Sequence, residues 1–323
     1  MGLPRGRAMT SARGRALGVV VGVAASALAA PARADAPPST AIAGAASAPP
    51  PGPRTAPLPP TWDPAWRRSS TADYVVTSIS LAGALGSLAI PKSTTRWTSV
   101  DGLDQSVHDA LEIKSLSWRE NARDFSDALL TLSFNQLAVD SLVVAWWGYD
   151  DRDLAWQLAS IDAEAMALDA FVQGLTSGLT SRERPYSKDE CGDPRFSQTA
   201  DCVGSNRYRS FFSGHTSTTF TAAGLTCEHH AHLPLYGGGA GDALACVGAL
   251  AAAGATGYLR MAADMHYFTD VMTGAAVGSL IGFGAPWLFH YRRRGLPLAG
   301  ALPGGGFYAL VPAQGGVGVM GAF

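Results

Sequence analysis

The prediction of the fold starts from the segment Arg209-Ser-Phe-Phe-Ser-Gly-His-Thr216. It contains a hydroxyl, a glycine and an imidazole side by side, and the Thr/Ser/Ala pattern that follows is typical of a helix start. Backbone N–H groups in the first turn of a helix have no partner within it, so they can hold an oxyanion together with a serine and a histidine. The segment therefore predicts an anion-binding helix N-terminus.

Two further polar islands stand out in a chain that is otherwise mostly apolar. One is Arg182-Glu-Arg-Pro-Tyr186, and the other runs from Arg260 to Asp270 and contains His266. Arginine carries a planar donor fork that suits phosphate, and Asp270, four residues after His266, is predicted to share its helix face. Phosphoryl transfer without a metal needs cations, N–H donors, a nucleophile and an acid for the leaving oxygen. The three islands supply side chains of each kind.

Hydrophobic patterns predict helices throughout the region 65–294, and no alternating strand pattern precedes the tail. We therefore expect an all-α helical bundle in one domain. The tail, 295–323, is Gly-rich with short apolar runs, and it predicts either a small β-hairpin packed on the bundle or a partly ordered extension. The predicted helices are Ala72–Ile90, Leu103–Arg123, Phe125–Trp147, Leu154–Leu179, Thr216–His230, Gly241–Ala263 and His266–Tyr291.

The N-terminal residues have the pattern of a secretory signal. Residues 1–34 contain an arginine-rich start, an apolar run from Ala16 to Ala30 and a small-x-small cleavage site at Ala32-Arg-Ala34. An uncleaved membrane anchor is the alternative. Residues 35–64 are rich in Pro and Ala and predict an extended linker, whose end is expected to dock on the domain through Trp62 and Trp66.

Composition limits the classes of partner. The 323 residues are 47% hydrophobic and 15% charged with a formal net charge of -2, which argues against a broad nucleic-acid surface. Most of the 24 basic residues are arginines, since lysine occurs only at positions 92, 114 and 188. The sequence has no P-loop or dinucleotide fingerprint and no evident metal-ligand cluster, so no cofactor or metal is predicted. His229, His230 and His232 are expected to be solvent-exposed.

Four cysteines in an exported chain suggest disulfides. Cys191 and Cys202 bracket a short polar loop, and Cys227 and Cys246 flank a Gly-rich turn. Both pairings are local and sterically reasonable, although four cysteines allow three connectivities.

The three islands together resemble the superfamily of type 2 phosphatidic acid phosphatases, bacterial class A acid phosphatases and vanadium haloperoxidases. The family pattern is Lys-x6-Arg-Pro, then Pro-Ser-Gly-His, then Ser-Arg-x5-His-x3-Asp. The resemblance covers residues 70 to 292 and implies an all-α bundle of that type, with its site at one end where the blocks meet. The matching residues are Arg184-Pro185, Ser213-Gly214-His215 and, at the full spacing, Arg260, His266 and Asp270.

The resemblance implies a role for each matching residue. His266 is the nucleophile that forms a phosphohistidine, and Asp270 orients it and stabilises its charge. His215 is the acid for the leaving group and later the base that activates water. The residues expected to hold the phosphate oxygens are Arg184, Ser213, Gly214 and Arg260.

The chain departs from the family pattern at three positions. Ser177 stands where the family has its lysine, Phe212 replaces the proline of the second block, and Leu259 replaces the serine of the third. The first change removes a phosphate-binding cation, and we predict Arg182 or Lys188 as its substitute. The third removes an oxygen donor.

The function implied is that of a metal-independent phosphomonoesterase acting on a lipid phosphate or a small phosphate ester. Two alternatives stay open: a vanadate-dependent haloperoxidase on the same scaffold, and an envelope protein that binds an anionic headgroup without hydrolysing it. The oligomeric state is not predicted.

The signal pattern predicts export to the periplasm or the cell envelope. The mean hydropathy of +0.10, the acids within two apolar segments and the expected disulfides favour a soluble or peripherally bound bundle. The arginines after Tyr291 resemble a positive-inside flank, which favours the alternative of an integral inner-membrane protein.

Overall fold

The structure is a computed structural model that describes backbone and side chains for residues 59–188 and 190–292. It also describes the backbone of three strands in the C-terminal tail. The predicted signal peptide, 1–34, and residues 35–58 of the predicted linker lie outside the described residues.

Helices make up the body of the described chain, which confirms the predicted all-α fold. α3 continues to Gly148 and α8 continues to Tyr291 as π-helical turns. Two short 3₁₀ segments, Pro185–Ser187 and Ser205–Tyr208, lie in the loop between α4 and α6. The helices are α1 (Thr71–Ser87), α2 (Gly102–Leu111), α3 (Leu116–Ala138), α4 (Arg152–Thr180), α5 (Ala200–Val203), α6 (Gly214–His232), α7 (Ala240–Ala262) and α8 (Phe268–Pro286).

Helix α6 lies at the centre of the bundle and packs on α3, α4, α7 and α8. Its contact with α8 is close because α8 carries glycines at four-residue intervals, including Gly278 and Gly282. A methyl group on Gly278 would lie 2.2 Å from the carbonyl oxygen of Ser217, and one on Gly282 would lie 2.3 Å from that of Thr221. Small residues allow helices to approach this closely. The packing holds the N-termini of α6 and α8 at the same end of the bundle.

An apolar core joins α4 and α6, where Leu154 and Ile161 belong to the same buried cluster as Leu225. The end of the linker docks on this core as predicted. Trp62 is only 6% exposed, and its ring lies 5.6 Å from that of Tyr291. The packed part of the chain therefore begins a few residues before the predicted boundary at 65.

The boundary between α2 and α3 differs from the prediction. The sequence predicted Leu103–Arg123 and Phe125–Trp147 as separate helices, whereas the chain breaks at 112–115. The charged stretch does not form a solvated face, because Arg119 is buried and donates to the carbonyl oxygen of Ile113 at 2.5 Å. No Gly or Pro marks this turn, so the hydrophobic pattern does not locate it.

The C-terminal tail forms the strands β1 (Leu298–Ala301), β2 (Phe307–Ala313) and β3 (Gly316–Ala322). They pair antiparallel in that order, with Leu298 opposite Leu310 and Leu310 opposite Val319. The tail thus contains one strand more than the predicted hairpin. Its packing on the bundle lies outside what the structure describes.

Much of the described helical surface is apolar and exposed. Leu116–Gly148, Ala240–Ala262 and Phe268–Tyr291 are long and apolar enough to cross a membrane, and at most 28% of each apolar window is buried. Soluble proteins rarely expose contiguous apolar surface on this scale. The predicted soluble bundle is therefore not supported, and the exposed helices favour the membrane alternative. Examples of exposed apolar side chains are Trp118, Phe125, Trp147, Leu244, Val247 and Leu280.

Both predicted disulfides are present. Cys191 is bonded to Cys202 with the Cα atoms 5.4 Å apart, and Cys227 is bonded to Cys246 with the Cα atoms 4.4 Å apart. The first closes a loop between α4 and α6, and the second ties α6 to α7.

The prediction of exposed histidines near the end of α6 is wrong for two of the three. His229 and His230 are buried. His229 Nε2 lies 2.9 Å from Asp162 Oδ1, and His230 Nδ1 lies 2.6 Å from Asp242 Oδ1. Buried polar groups need hydrogen-bond partners, and these acids provide them. The histidines therefore connect α6 to the neighbouring helices.

Candidate active site

The first block leaves the end of α4 and provides one uncommitted arginine. The backbone N–H of Arg184 donates to the carbonyl oxygen of Arg207 at 2.8 Å, which fixes its position before the turn at Pro185. Its guanidinium meets only weak acceptors: Nη1 lies 3.9 Å from Met265 Sδ and Nη2 lies 3.4 Å from the carbonyl oxygen of Arg209. Nε has no hydrogen-bond partner among the described residues. Arg184 is therefore free to bind an anion.

The second block forms the N-terminus of α6. Ser213 is the N-cap and Gly214 the first helical residue, so the N–H groups of this turn point out of the helix end. The Ser213 hydroxyl is fully buried and lies 2.8 Å from Thr216 Oγ1. The serine therefore supports the cap itself, and the N–H group of Gly214 is the more accessible oxyanion donor of the pair.

The third block folds back on itself between α7 and α8. The carbonyl oxygen of Arg260 accepts hydrogen bonds from the N–H groups of Met265 at 3.0 Å and His266 at 3.2 Å. The turn passes through Asp264, whose φ is 62° and whose carboxylate is held by His108 Nε2 at 2.6 Å and Arg119 Nη1 at 3.0 Å. The five-residue spacing between Arg260 and His266 thus encodes a closed turn.

The ring of His266 is buried and has one defined hydrogen bond. Nδ1 lies 2.7 Å from the carbonyl oxygen of Ser210. A carbonyl oxygen only accepts, so Nδ1 carries the proton and Nε2 keeps its lone pair. Burial first, and then the charge of Arg184, lower the pKa of His266 to about 4. The ring is therefore neutral at pH 7, with the lone pair of Nε2 available.

Asp270 and His266 do not share the helix face that the sequence predicted. The helix begins at Phe268, so His266 lies outside it. Asp270 Oδ2 lies 3.8 Å from His266 Nδ1, too far for a hydrogen bond. The same oxygen accepts from Ser210 Oγ at 2.5 Å and from the N–H of Tyr267 at 2.9 Å. Asp270 therefore holds the residue whose carbonyl orients His266.

The guanidinium of Arg182, one of the two predicted substitutes for the missing lysine, is already paired with two carboxylates. It is 1% exposed, and it donates to Asp270 Oδ1 at 2.6 Å and to Asp104 Oδ2 at 2.5 Å. The ring of Trp97 covers it at 4.5 Å. Lys188 is exposed and lines a surface cavity with His108. Neither residue meets the other predicted phosphate-binding groups.

His215 has a carboxylate neighbour that the sequence analysis missed. Asp127 Oδ1 on α3 lies 2.9 Å from His215 Nε2 and accepts from Arg260 Nη2 at 2.6 Å. Burial, followed by the charges of Arg260, His266 and Arg184, lowers the pKa of His215. The sequence offered one signal, a polar run around Asp127 inside an apolar helix.

The charges of the three blocks act on one another. Arg184 and Arg260 both act on the pKa values of His215 and His266, and His266 acts on that of His215. The predicted site residues Arg184, Gly214, His215, Arg260 and His266 therefore converge at one end of the bundle. Within the described chain, the carboxylate in direct contact with this group is that of Asp127.

Two groups of side chains in the described chain are close enough to hold a metal ion, although the sequence did not single them out. In both groups an arginine already pairs with the acids, Arg67 with Asp73 and Arg119 with Asp264. Neither group contains His266 or His215. The groups are Asp73, Glu164 and His290, and His108, Glu112 and Asp264.

Comparison with known families agrees with this geometry. The family model described as PAP2 superfamily matches residues 161–294, a stretch that contains all three blocks. The match makes this part of the chain similar to the PAP2 superfamily. The resemblance predicted from the sequence is thus confirmed, and it supports an activity of the phosphatase type.

One solved structure has weak similarity to this chain in sequence and fold. It is described as the first transmembrane PAP2 type phosphatidylglycerolphosphate phosphatase from Bacillus subtilis. The identity is 16%, the TM-score is 0.45, and the alignment covers 69% of this chain and 98% of that one. The comparison with curated proteins found no significant match.

Proposed function

We propose that this chain is a metal-independent phosphomonoesterase whose nucleophile is Nε2 of His266. The orientation of that ring carries the proposal. Its Nδ1 donates to the carbonyl oxygen of Ser210 at 2.7 Å, so the lone pair of Nε2 is available. Arg184 and Arg260, whose charges act on His266, and the N–H of Gly214 are donors of the kind that a transferring phosphoryl group requires.

In the first step, Nε2 of His266 attacks phosphorus, the N–P bond forms and the P–O bond to the alcohol breaks. His215 gives its proton to the departing oxygen. In the empty site the ring of His215 is neutral, because its pKa is lowered by burial and by the neighbouring cations. A bound phosphate adds negative charge beside it, and with Asp127 2.9 Å away it favours the protonated ring.

In the second step, His215 takes a proton from water. The resulting hydroxide oxygen attacks phosphorus, the N–P bond breaks, and inorganic phosphate and neutral His266 are released. Asp270 accepts a hydrogen bond from the hydroxyl of Ser210 at 2.5 Å, and it thereby holds the residue whose carbonyl orients His266. The carboxylate also stabilises the positive charge that His266 carries in the phosphohistidine, from a distance of 3.8 Å.

The preferred substrate is a lipid phosphate. The site lies where α7 ends and where α6 and α8 begin. α7 and α8 are among the helices long and apolar enough to cross a membrane. The end of a spanning helix lies at the membrane interface, where lipid headgroups lie. A site at that end can receive a headgroup phosphate while the acyl chains stay in the bilayer.

The site is proposed to face the periplasm. The loop that leads from Arg184 to the second block contains the Cys191–Cys202 disulfide. Disulfides persist in oxidising compartments such as the periplasm and are rare in the cytosol. The predicted signal peptide and the disulfide therefore favour export of the end of the bundle that carries His266.

The test is phosphate release by the detergent-purified full chain. Phosphatidic acid in mixed micelles, a sugar phosphate and an aryl phosphate are compared with EDTA present and with added vanadate. We expect vanadate-sensitive hydrolysis that EDTA leaves intact, fastest with phosphatidic acid, and no turnover by His266→Ala. Complete dependence on a divalent metal would contradict the mechanism. Bromide oxidation by peroxide with vanadate, without phosphate release, would favour the haloperoxidase.

A further inference from the structure

Ser177 stands where the family pattern has a lysine, so another residue must supply that phosphate-binding cation. Ser177 is buried, and its hydroxyl donates to the carbonyl oxygen of Gly174 at 3.3 Å. Lys92, in the loop after α1, has a buried Nζ with no hydrogen-bond partner in the part of the chain that the structure describes. A buried ammonium without a partner is costly. Such a group points to a ligand that supplies the missing acceptor.

The loop that contains Lys92 is bound along the first block. On one side of Lys92, Ile90 fills the space beside Gly178, where a methyl group would lie 2.9 Å from Ile90 Cδ1. On the other side, the N–H of Ser93 donates to Ser181 Oγ at 3.1 Å. Lys92 is thereby anchored beside the last turn of α4, the turn that begins at Ser177.

The far end of the same loop is fastened to the first block as well. The carbonyl oxygen of Trp97 accepts from the N–H of Glu183 at 3.1 Å. The ring of Trp97 lies 5.1 Å from that of Phe211 in the second block. The loop therefore spans the two blocks that meet at the candidate site.

Arg209 connects Lys92 to the site. Its carbonyl oxygen accepts from Arg184 Nη2 at 3.4 Å, and the next residue, Ser210, holds His266. Its own Nε is buried and also lacks a hydrogen-bond partner among the described residues. Arg209 is close enough for its charge to act on Lys92. Lys92 and Arg209 are thus neighbouring cations with unsatisfied N–H groups, and the backbone of Arg209 contacts Arg184.

The other cations near these blocks already have acceptors. Arg182 pairs with Asp104 and Asp270, Arg207 pairs with Glu183, and Arg123 pairs with Glu190. Arg96 donates to the carbonyl oxygen of Leu179. No carboxylate contacts Lys92, Arg184 or Arg209 within residues 59–188 and 190–292. In this part of the described chain, the cations without a carboxylate partner are therefore Lys92, Arg184 and Arg209.

We propose that Lys92, supported by Arg209, supplies the phosphate-binding cation that the family places seven residues before Arg184. In this assignment the cation is provided by the loop after α1, which packs on the end of α4, and not by α4 itself. The substrate phosphate is then held by Lys92, Arg184 and Arg260 together with the N–H of Gly214. This assignment rests on the proposed function.

The assignment has a pH signature. Burial first, and then the charge of Arg209, lower the pKa of Lys92 to about 8 in the empty site. Among the described residues no carboxylate contacts Lys92, and its loop packs on Gly178 at the end of α4 and on Ser181, the C-cap of that helix. Lys92 is charged below that pKa, so phosphate affinity and kcat/KM fall as pH rises through about 8. Arginine stays charged, so Lys92→Arg removes this decrease.

The experiment compares Lys92→Ala and Lys92→Arg with Lys114→Ala, an exposed lysine paired with Glu112. Orthovanadate inhibition and kcat/KM on the best substrate are measured from pH 6 to pH 10. We expect Lys92→Ala to weaken vanadate binding by roughly 10- to 100-fold, the range for one charged hydrogen bond. Lys92→Arg should retain affinity and lose the alkaline decrease. Lys114→Ala should match the parent chain.

Unchanged vanadate affinity in folded Lys92→Ala would overturn the assignment. So would an alkaline decrease in vanadate affinity that Lys92→Arg leaves in place, and this second result applies even where Lys92→Ala does not fold. The outcome is separate from that of the proposed function. If the parent chain hydrolyses nothing, vanadate binding measured by calorimetry still tests Lys92. If it hydrolyses phosphate without depending on Lys92, only the assignment fails.

Discussion

The carbonyl oxygen of Ser210 lies 2.7 Å from Nδ1 of His266. The carboxylate of Asp270, expected to orient the ring, lies 3.8 Å from Nδ1 and instead accepts a hydrogen bond from the hydroxyl of Ser210. The orientation of the His266 ring therefore depends on a backbone atom, and the carboxylate of Asp270 fixes the segment that carries that atom.

We predict that Ser210→Ala and Asp270→Asn differ in their effect on turnover. Ser210→Ala keeps the carbonyl that orients His266, so kcat should fall by no more than about threefold while stability falls by roughly 0.5–1.5 kcal/mol. Asp270→Asn removes the charge that stabilises the phosphohistidine, and kcat should fall by roughly 10- to 100-fold. Steady-state kinetics and thermal unfolding measure both. A larger kcat loss for Ser210→Ala would contradict this arrangement.

Arg182→Met should destabilise the fold and leave phosphate affinity unchanged. The substitution leaves Asp104 and Asp270 buried without their shared partner, which costs about 3–5 kcal/mol. Arg195→Ala, which breaks the exposed pair with Asp193, is the control and should cost less than about 1 kcal/mol. Lys188→Ala should also leave the inhibition constant for vanadate unchanged. Weaker vanadate binding by folded Arg182→Met or Lys188→Ala would restore that residue as a phosphate ligand.

Asp127→Asn should strengthen phosphate inhibition and shift the pH profile. The carboxylate accepts a hydrogen bond from Arg260 Nη2 at 2.6 Å. The neutral amide of asparagine holds that donor less strongly, so phosphate binding should tighten by up to about tenfold. Loss of its charge lowers the pKa of His215 further. Because His215 acts as an acid, the alkaline decrease in kcat should begin at lower pH. Asp124→Asn, an exposed position on the same helix, is the control. An unchanged profile would remove Asp127 from the site.

Gly278→Ala should destabilise the bundle, whereas Gly284→Ala on the same helix should not. A methyl group at Gly278 would lie 2.2 Å from the carbonyl oxygen of Ser217, while one at Gly284 meets nothing within 4 Å. Alanine also favours helix over glycine by about 1 kcal/mol, so Gly284→Ala should be neutral or stabilising. Thermal unfolding in detergent measures both. Equal midpoints would show that the helices are not in close contact here.

The three sequence blocks predicted most of the candidate site because their spacings encode local turns. The interval from Arg260 to His266 is one example, since the N–H of His266 closes on the carbonyl oxygen of Arg260. Asp127 lies outside the blocks and meets His215 and Arg260 only through the packing of α3. Lys92, the proposed further cation, also lies outside them, in the loop after α1. The carbonyl oxygen of Ser210 is a backbone atom, so no side-chain motif records it.

The helices were predicted well where apolar runs end at clear boundaries, and α4 and α7 differ by only a few residues from the prediction. The break at 112–115 was missed because it contains no Gly or Pro. It depends on the buried contact of Arg119 with the carbonyl oxygen of Ile113, which the hydrophobic pattern does not show. The mean hydropathy suggested a soluble bundle because it averages the apolar helices with the Pro-rich linker. Trp147 and Leu280 are exposed in the folded bundle, and they belong to an apolar surface that the average conceals and that favours the membrane alternative.

The central claim, that His266 becomes phosphorylated, is tested most directly by trapping the intermediate. His215→Ala is mixed with an aryl phosphate, whose leaving oxygen does not need the proton of His215, quenched in alkali to preserve a phosphohistidine, and digested for peptide mass spectrometry. Loss of the base that activates water should slow breakdown of the intermediate, and we predict phosphate on the peptide containing His266, absent from the His266→Ala variant. Phosphate on another residue, or phosphate release in a single turnover with no phosphorylated peptide, would contradict the account.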